Sequence, residues 1–402
     1  MPADLHILHF NDVYELEGRA SSDSDKQKVL GGAARFYSAW KEHGFESKLN
    51  LFSGDLFGPS TISAMFKGQN MVDFFNLLGV RVACLGNHET EYGLGQMEKL
   101  IRDTKVPWLL ANLYMADGSF LPGCQPSCVV EHLGAKIGLI GLCEKEWLGL
   151  FSPLKVQEDF TYRDYSEVCR EIATELKAQG CDYIIALTHM KTSNDRLLAQ
   201  NTQGFIDLIL GGHDHCSVEE QIGSVSLIKS GTDFEEFSDV HVDRLTLKAT
   251  RKLVRITAEF DEDPEVKALV GKYANEVAAR LDQVCAVLRE DLEGRFECTR
   301  AMETNIGNWI CDVILTEYEH ADVVIMNAGT IRSNQVFPKG PLTFKQMAKI
   351  IPMDDKIIEF DMPGHVIIKA LENGVSVAPA VAGKFLQLSG LNLKYDSKKP
   401  PG

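Results

Sequence analysis

Six side chains of the kinds that hold divalent ions stand in short polar motifs along the chain. They are Asp12 in "NDVY", Asp55 in "SGD", Asn87 in "GNHE", His189 in "THM", and His213 and His215 in "GGHDH". Imidazole and carboxylate suit borderline ions such as zinc, manganese, iron or cobalt. Such a set can serve two ions roughly 3.5 to 4 Å apart that share a carboxylate and clamp a phosphoryl group during in-line displacement. An aspartate is the obvious bridge. The neighbouring glycines, Gly54, Gly86, Gly211 and Gly212, let the backbone turn sharply and approach the ions closely. Any one fragment is weak, since a lone histidine is more often a structural residue than a ligand. The whole ordered set, each member closing a hydrophobic run, is hard to obtain by chance.

Those runs are the elements that must position the ligands. "LHILHF", "SKLNLFSGD", "VRVACLGNH", "PWLLANL", "AKIGLIGLC", "DYIIALTHM", "IDLILGGHDH" and "VSLIKSG" are short, apolar and rich in β-branched residues, and helix-like or loop segments separate most of them. This is the strand signal of a layered α/β domain, whose sheets display ligand-binding loops along one edge. From about Asp261 the texture changes. Asp263 is a predicted N-cap, Pro264 takes the first helical position, and Val266, Leu269, Val270, Tyr273, Val277 and Leu281 keep helical register. Beyond this connecting helix, "NIGNWICDVILTEY" predicts a second helix, and "ADVVIMNAG", "KIIEFDMPG" and "GKFLQLSGLNLKYD" predict strands of a second α/β domain. The expected organisation is a first domain over residues 1–258, a connecting helix over 259–290 and a smaller domain over 291–402, whose closing strand-and-turn signal reads as incomplete. The acidic "SSDSDK" stretch (Ser21 to Lys26) reads as a solvated loop.

A chain of 402 residues, 45% of them apolar, can bury two ordinary cores. Its formal charge of −16 argues against a nucleic-acid polymer as partner, which would need clustered Lys and Arg. The N-terminus shows no basic and apolar leader pattern, and no apolar run approaches the roughly 20 residues that span a bilayer. A soluble, cytoplasmic protein with no membrane partner is the expectation. The ten irregularly spaced cysteines fit reduced thiols better than a disulfide framework, and Cys124 and Cys128, without a second pair or a nearby histidine, make poor zinc ligands.

With "ND", "GD", "GNHE", "TH" and "GGHDH" in this order, the chain resembles the calcineurin-like metallophosphoesterases, and more closely the 5′-nucleotidase family with its additional C-terminal domain. The resemblance implies a four-layer αββα sandwich followed by a smaller α/β domain, with two divalent ions at the sheet edge. By position, Asp12 and His215 would hold the first ion, Asp55 would bridge, and Asn87, His189 and His213 would hold the second. His88 would sit beside the ions as a general acid for the leaving oxygen, and Glu91 would take the place of the family's orienting aspartate. In "RAMETNIGNWICDVI" and "NAGTIRS" the resemblance marks Arg300, Asn327 and Arg332 as substrate-binding, and arginine suits phosphate through its planar, permanently charged fork.

Two departures stand out. Tyr14 replaces a family histidine two residues after Asp12. Its phenol, with an ordinary pKa of about 10, has three open roles: a phenolate ligand, a hydrogen-bond donor in the site, or an aromatic filling the space of an imidazole. In "IPMDD", Met353 stands where the family has a phenylalanine that stacks a base, and a thioether stacks less well. The function implied is two-metal hydrolysis of small organic phosphomonoesters such as nucleotides. The alternative substrates are sugar phosphates or phosphoglycerates, as for mannosylglucosyl-3-phosphoglycerate phosphatase, with a cyclic-nucleotide phosphodiesterase less favoured. From another class, a metal-poor binding module weakened at Tyr14 is the competing expectation.

Overall fold

A computed structural model describes residues 3–20, 29–150, 160–318, 320–352 and 357–396. The chain divides into two compact units, Met1–Asn275 and Glu276–Gly402.

The first unit is built on two sheets. Seven strands that carry or support ligands are labelled here in chain order: β1 (Leu5–Phe10), β2 (Leu49–Ser53), β3 (Val82–Cys84), β4 (Ala135–Cys143), β5 (Tyr183–His189), β6 (Leu208–Gly212) and β7 (Val225–Ser230). In the first sheet β1, β2 and β3 lie side by side and parallel, with β1 also pairing antiparallel to Glu236–Val242. In the second sheet β7, β6, β5 and β4 are successive parallel neighbours, with Cys143 opposite His189 and His189 opposite Gly212.

Period-two alternation explains the layering. Leu5, Ile7, Leu49, Leu51, Val82 and Cys84 of the first sheet are buried with Ile137, Leu139, Ile185, Leu187, Leu208 and Leu210 of the second, in one core between the sheets. The opposite face of the second sheet packs Ile140, Leu142, Ile184, Ala186 and Ile209 with Val168, Cys169, Ala173 and Leu176 of helix Tyr165–Ala178 and with Leu198 of helix Thr192–Asn201. On the outer face of the first sheet, Phe10 meets Phe36 and Trp40 of helix Ala33–Glu42, and Phe52 meets Phe75 of helix Gln69–Phe75. Helix, sheet, sheet and helix give the expected αββα order. Each fully buried large apolar side chain contributes on the order of 1.5–3 kcal/mol. The sheets approach closely at Gly141, where an added Cβ would lie 2.4 Å from the Leu109 carbonyl.

Helix Pro264–Leu281 begins on Pro264, and Asp263 Oδ1 accepts the backbone N–H of Glu265 (3.0 Å) and Val266 (3.1 Å), a side-chain cap. The division between the units falls within this helix. The second unit centres on helix Asn305–Glu317, capped by Thr304, and its core gathers Leu288, Leu292, Ile306, Ile310, Ile331, Phe337, Leu342 and Ile350. Strand Val324–Asn327 pairs with Leu386–Ser389, and Val284–Leu288 pairs with Gly340–Thr343.

One predicted strand does not form. Residues 357–362 of "KIIEFDMPG" form no strand, with Ile358 74% and Phe360 63% exposed, and the chain then enters helix Gly364–Val375. An apolar run becomes a strand only where a neighbour takes its hydrogen bonds. In "GKFLQLSGLNLKYD" only Leu386–Ser389 is a strand. Met353 and the Ser21–Lys26 loop lie outside the described residues. No described helix is long and apolar enough to cross a membrane. All ten cysteines are unpaired.

Candidate metal centre

The ligand-type residues begin where the strands end. After β1, Asp12 turns into the left-handed region (φ 52°), and its N–H donates to the Gly54 carbonyl at 2.9 Å. After β2, Gly54 (φ 86°) and Asp55 (φ 64°) do the same, and Val13 N–H donates to the Asp55 carbonyl at 2.9 Å. The two loops therefore hold each other. His213 (φ 85°) and His215 (φ 54°), beyond β6, complete a set of four non-glycine residues in a conformation that costs on the order of 1–3 kcal/mol each. Such strain clusters at functional sites. The glycines serve mainly close approach. An added Cβ on Gly86 would lie 2.2 Å from Asp55 Oδ1. One on Gly212 would lie 2.5 Å from the Ser53 carbonyl, and one on Gly54 would lie 2.6 Å from His189 Nδ1.

These loops bring Asp12, Asp55 and His189 together, with donor atoms all within 4.8 Å of one another and all three side chains buried. His189 Nδ1 lies 2.8 Å from the Ser53 carbonyl, to which it must donate. Its Nε2 lies 3.1 Å from Asp55 Oδ2 and 3.9 Å from Asp12 Oδ1, inside the buried site. A buried ring nitrogen facing two carboxylates in a dry site calls for a positive charge there, supplied by a proton on Nε2 or by a cation in its place. The titration behaviour says the same. Burial alone would lower the His189 pKa, yet the carboxylates of Asp55 and Asp12 push it up to about 10. Burial would likewise raise Asp55, but His189 and His88 hold it below the usual carboxylate range.

On the far side of His189, Asn87 Oδ1 stands 3.0 Å from His213 Nδ1. On the near side, the Tyr14 hydroxyl lies 3.0 Å from Asp12 Oδ1, 2.9 Å from Asp55 Oδ2 and 2.8 Å from His215 Nε2, and His215 Nε2 is 3.3 Å from Asp12 Oδ1. Donor atoms that share an ion at about 2.0–2.2 Å stand about 3 Å apart, a spacing that the Asp12, Asp55 and His189 cluster and its neighbours approach. Burial, then Asp55 and Asp12, drive the Tyr14 phenol far above its ordinary pKa, so without an ion it stays protonated and its single proton is shared between the two carboxylates.

His88 donates its backbone N–H to Asp55 Oδ1 at 2.9 Å. Its Nδ1 is 2.5 Å from Glu91 Oε1, and its Nε2 is 3.9 Å from Asp55 Oδ2. Burial would lower the His88 pKa, but the bond to Glu91 and the charge of Asp55 leave it above its ordinary value.

Several further residues had no assignment in the sequence. Glu89, fully buried inside "GNHE", accepts the backbone N–H groups of Asp55, Leu56, Phe57 and Gly86 and so ties two ligand loops together. Burial and Asp55 push its carboxyl up to about 7, against the pull of those amides. Lys229 of β7, also buried, donates to the carbonyls of Met190 (2.7 Å) and Gly212 (2.9 Å) and pairs with Asp195 (2.9 Å) and Asp214 (3.3 Å), which anchors the "GGHDH" turn. Glu144 closes β4 as the candidate ligands close their strands, and an acid directly after the apolar run "AKIGLIGLC" was the signal available for it.

Arg300, Asn327 and Arg332 belong to the second unit. The Arg300 guanidinium stacks 3.9 Å over the Phe296 ring, Asn327 ends its strand in an exposed position, and the exposed Arg332 donates its backbone N–H to the Ile350 carbonyl. The Arg300 carbonyl accepts Ala382 N–H, and Ala328 N–H donates to the Phe385 carbonyl, so both stretches border the segment 382–385.

Comparison with known proteins agrees with this geometry. The calcineurin-like phosphoesterase family matches residues 5–217, and the 5′-nucleotidase C-terminal domain matches residues 284–402. The chain is 27% identical to a snake venom 5′-nucleotidase from Gloydius brevicauda, over 99% of this chain and 75% of that protein. It is 26% identical to the 5′-nucleotidase of Homo sapiens, over 99% and 76%. Among solved structures, a 5′-nucleotidase precursor from Thermus thermophilus superposes with a TM-score of 0.65 at 26% identity, over 99% of this chain and 83% of that one. The NAD nucleotidase of Haemophilus influenzae shares the fold, with a TM-score of 0.70 at 18% identity over 96% and 82%.

Proposed function

As the chain belongs to the calcineurin-like phosphoesterase family, we propose that it is a metal-dependent phosphoric monoester hydrolase that removes phosphate from a small metabolite, foremost a nucleoside 5′-monophosphate. The observation that carries this is the buried cluster of Asp12, Asp55 and His189, in which two carboxylates face His189 Nε2 and call for a positive charge that a divalent ion would supply. Asp12 and His215, with Tyr14 beside them, would hold one ion, Asn87, His189 and His213 would hold the other, and Asp55 would serve both. Bound there, two ions of the zinc, manganese, iron or cobalt kind supply Lewis-acid polarisation of the phosphoryl oxygens and an activated water.

The chain's own residues do the rest. His88, held by Glu91 through Nδ1, keeps a proton on Nε2 and delivers it to the leaving oxygen. Its raised pKa keeps that proton available towards neutral pH. Arg300, Asn327 and Arg332 are the residues we assign to substrate binding. The relatives named 5′-nucleotidase favour a nucleotide, whereas Met353 in place of a stacking phenylalanine favours a sugar phosphate as the second reading. Ten unpaired cysteines suit a reducing compartment such as the cytoplasm.

Metal content by elemental analysis, with turnover of an aryl phosphate, AMP and a sugar phosphate, tests this assignment. Two equivalents of metal, aryl phosphate hydrolysis and a higher kcat/KM for AMP are expected. No metal with no turnover would make the protein a binding module, and AMP no better than the sugar phosphate would hand the substrate to the second reading. In the same assay, Tyr14→Phe is expected to lower the metal content from two equivalents towards one. Unchanged content and rate would reduce Tyr14 to a space-filling aromatic.

A further inference from the structure

Glu144 stands beside the candidate centre without belonging to either ligand grouping. Its side chain is 0% exposed. One carboxylate oxygen is fully employed, since Oε2 accepts the backbone N–H of Lys191 and the Nδ2 of Asn194, each at 2.7 Å. The other is not. Oε1 is buried, has no hydrogen-bond partner among the described residues, and lies 3.4 Å from His213 Nε2.

His213 is thus addressed from both edges of its ring, with Nδ1 at 3.0 Å from Asn87 Oδ1 and Nε2 facing Glu144. Its backbone is fixed as well, because its N–H donates to Asp12 Oδ2 at 2.8 Å. A neutral imidazole offers a lone pair on one nitrogen only when the other carries the proton, and the group that accepts that proton selects the tautomer. Capping the turn at Lys191 and Asn194 accounts for Oε2 alone. A carboxylate buried with one oxygen idle is costly unless that oxygen has a task.

We propose that Glu144 is a positioning residue for the second ion: its Oε1 accepts the Nε2 proton of His213, which turns the Nδ1 lone pair towards an ion shared with Asn87. This presumes the two-ion hydrolase proposed above. The carboxylate also makes the imidazole a stronger donor, and removal of such outer partners typically costs about 10–100-fold in metal affinity.

The test uses metal-depleted full-length protein titrated with Mn²⁺ alone by calorimetry, for the wild type, Glu144→Leu, Glu144→Gln and Asn194→Ala. The wild type is expected to take up two equivalents. Glu144→Leu should weaken one of them about 10–100-fold and leave the other unchanged, and Glu144→Gln, which keeps an acceptor oxygen but no charge, should fall between. Asn194→Ala removes only an Oε2 partner, so it should lower the metal-free thermal midpoint without changing Mn²⁺ affinity. Co²⁺ substitution adds a spectroscopic readout, since Glu144→Gln should alter the visible spectrum of one ion and not both. Wild-type affinity for both equivalents in the Gln variant, and in the Leu variant if it folds, overturns the proposal. Fewer than two equivalents in the wild type overturns the two-ion assignment itself, and this inference with it.

Discussion

The 2.5 Å contact between Glu91 Oε1 and His88 Nδ1 sets the proton chemistry of the proposed acid. Because Glu91 and Asp55 raise the His88 pKa against the effect of burial, the protonated form survives to higher pH than in a free imidazole. Glu91→Gln removes the negative partner, so the pKa should fall and the basic limb of the kcat–pH profile should move to lower pH, by about one unit. A limb that stays in place would remove Glu91 from the proton chemistry. Glu91 was legible because it stands three residues after a histidine in a motif, and the six candidate ligands were legible because their types recur at strand ends in a fixed order. Glu89 was not, because accepting backbone N–H groups leaves no spacing pattern. Nor was the task of Glu144, since a buried acceptor and a solvated acid are the same letter in a sequence.

Among elements, β7 illustrates how a strand can serve the site without ending in a ligand. Its Lys229 reaches behind the sheet to the Gly212 carbonyl and to Asp195 and Asp214. Lys229→Met would leave the Asp195 carboxylate buried and unpaired, at a cost of about 3–5 kcal/mol. Denaturant unfolding measures this, and adding Asp195→Leu to the variant should recover most of the loss. A single variant as stable as the wild type would show that water reaches Asp195. The strands of the first unit could be read from the sequence because apolar runs buried on both sides need little else to identify them. The lysine within "VSLIKSG" looked like a break in that pattern, and its partners come from a neighbouring strand, two turns and a helix. In the second unit "KIIEFDMPG" carries the same composition without a pairing partner among the described residues, so composition alone misled.

For the whole molecule, the site joins two sheets. Asp12, Asp55 and Asn87 extend from the first, while His189, His213 and His215 extend from the second. Ions held between them would act as a cross-link between layers, and an ion at about 100 times its dissociation constant stabilises the fold by about 2.7 kcal/mol. Chelation should therefore lower the unfolding temperature of the first unit, by about 5–10 °C for a body of this size. The second unit has its own core and carries none of these ligands, so its transition should not move. Calorimetric scans with and without a chelator separate the two, and a first-unit transition indifferent to chelation would argue against a structural contribution from the ions. Length, charge and strand alternation were enough to foresee the layered architecture. They could not show how closely Gly54, Gly86 and Gly212 bring backbone to backbone beneath the ligands. Because the atoms packed on these glycines are the main chain and side chains of the site itself, substitutions in the more distant core need not detune the centre. The residues assigned to substrate binding are then free to diverge, so that one reaction can be inherited while its substrate changes.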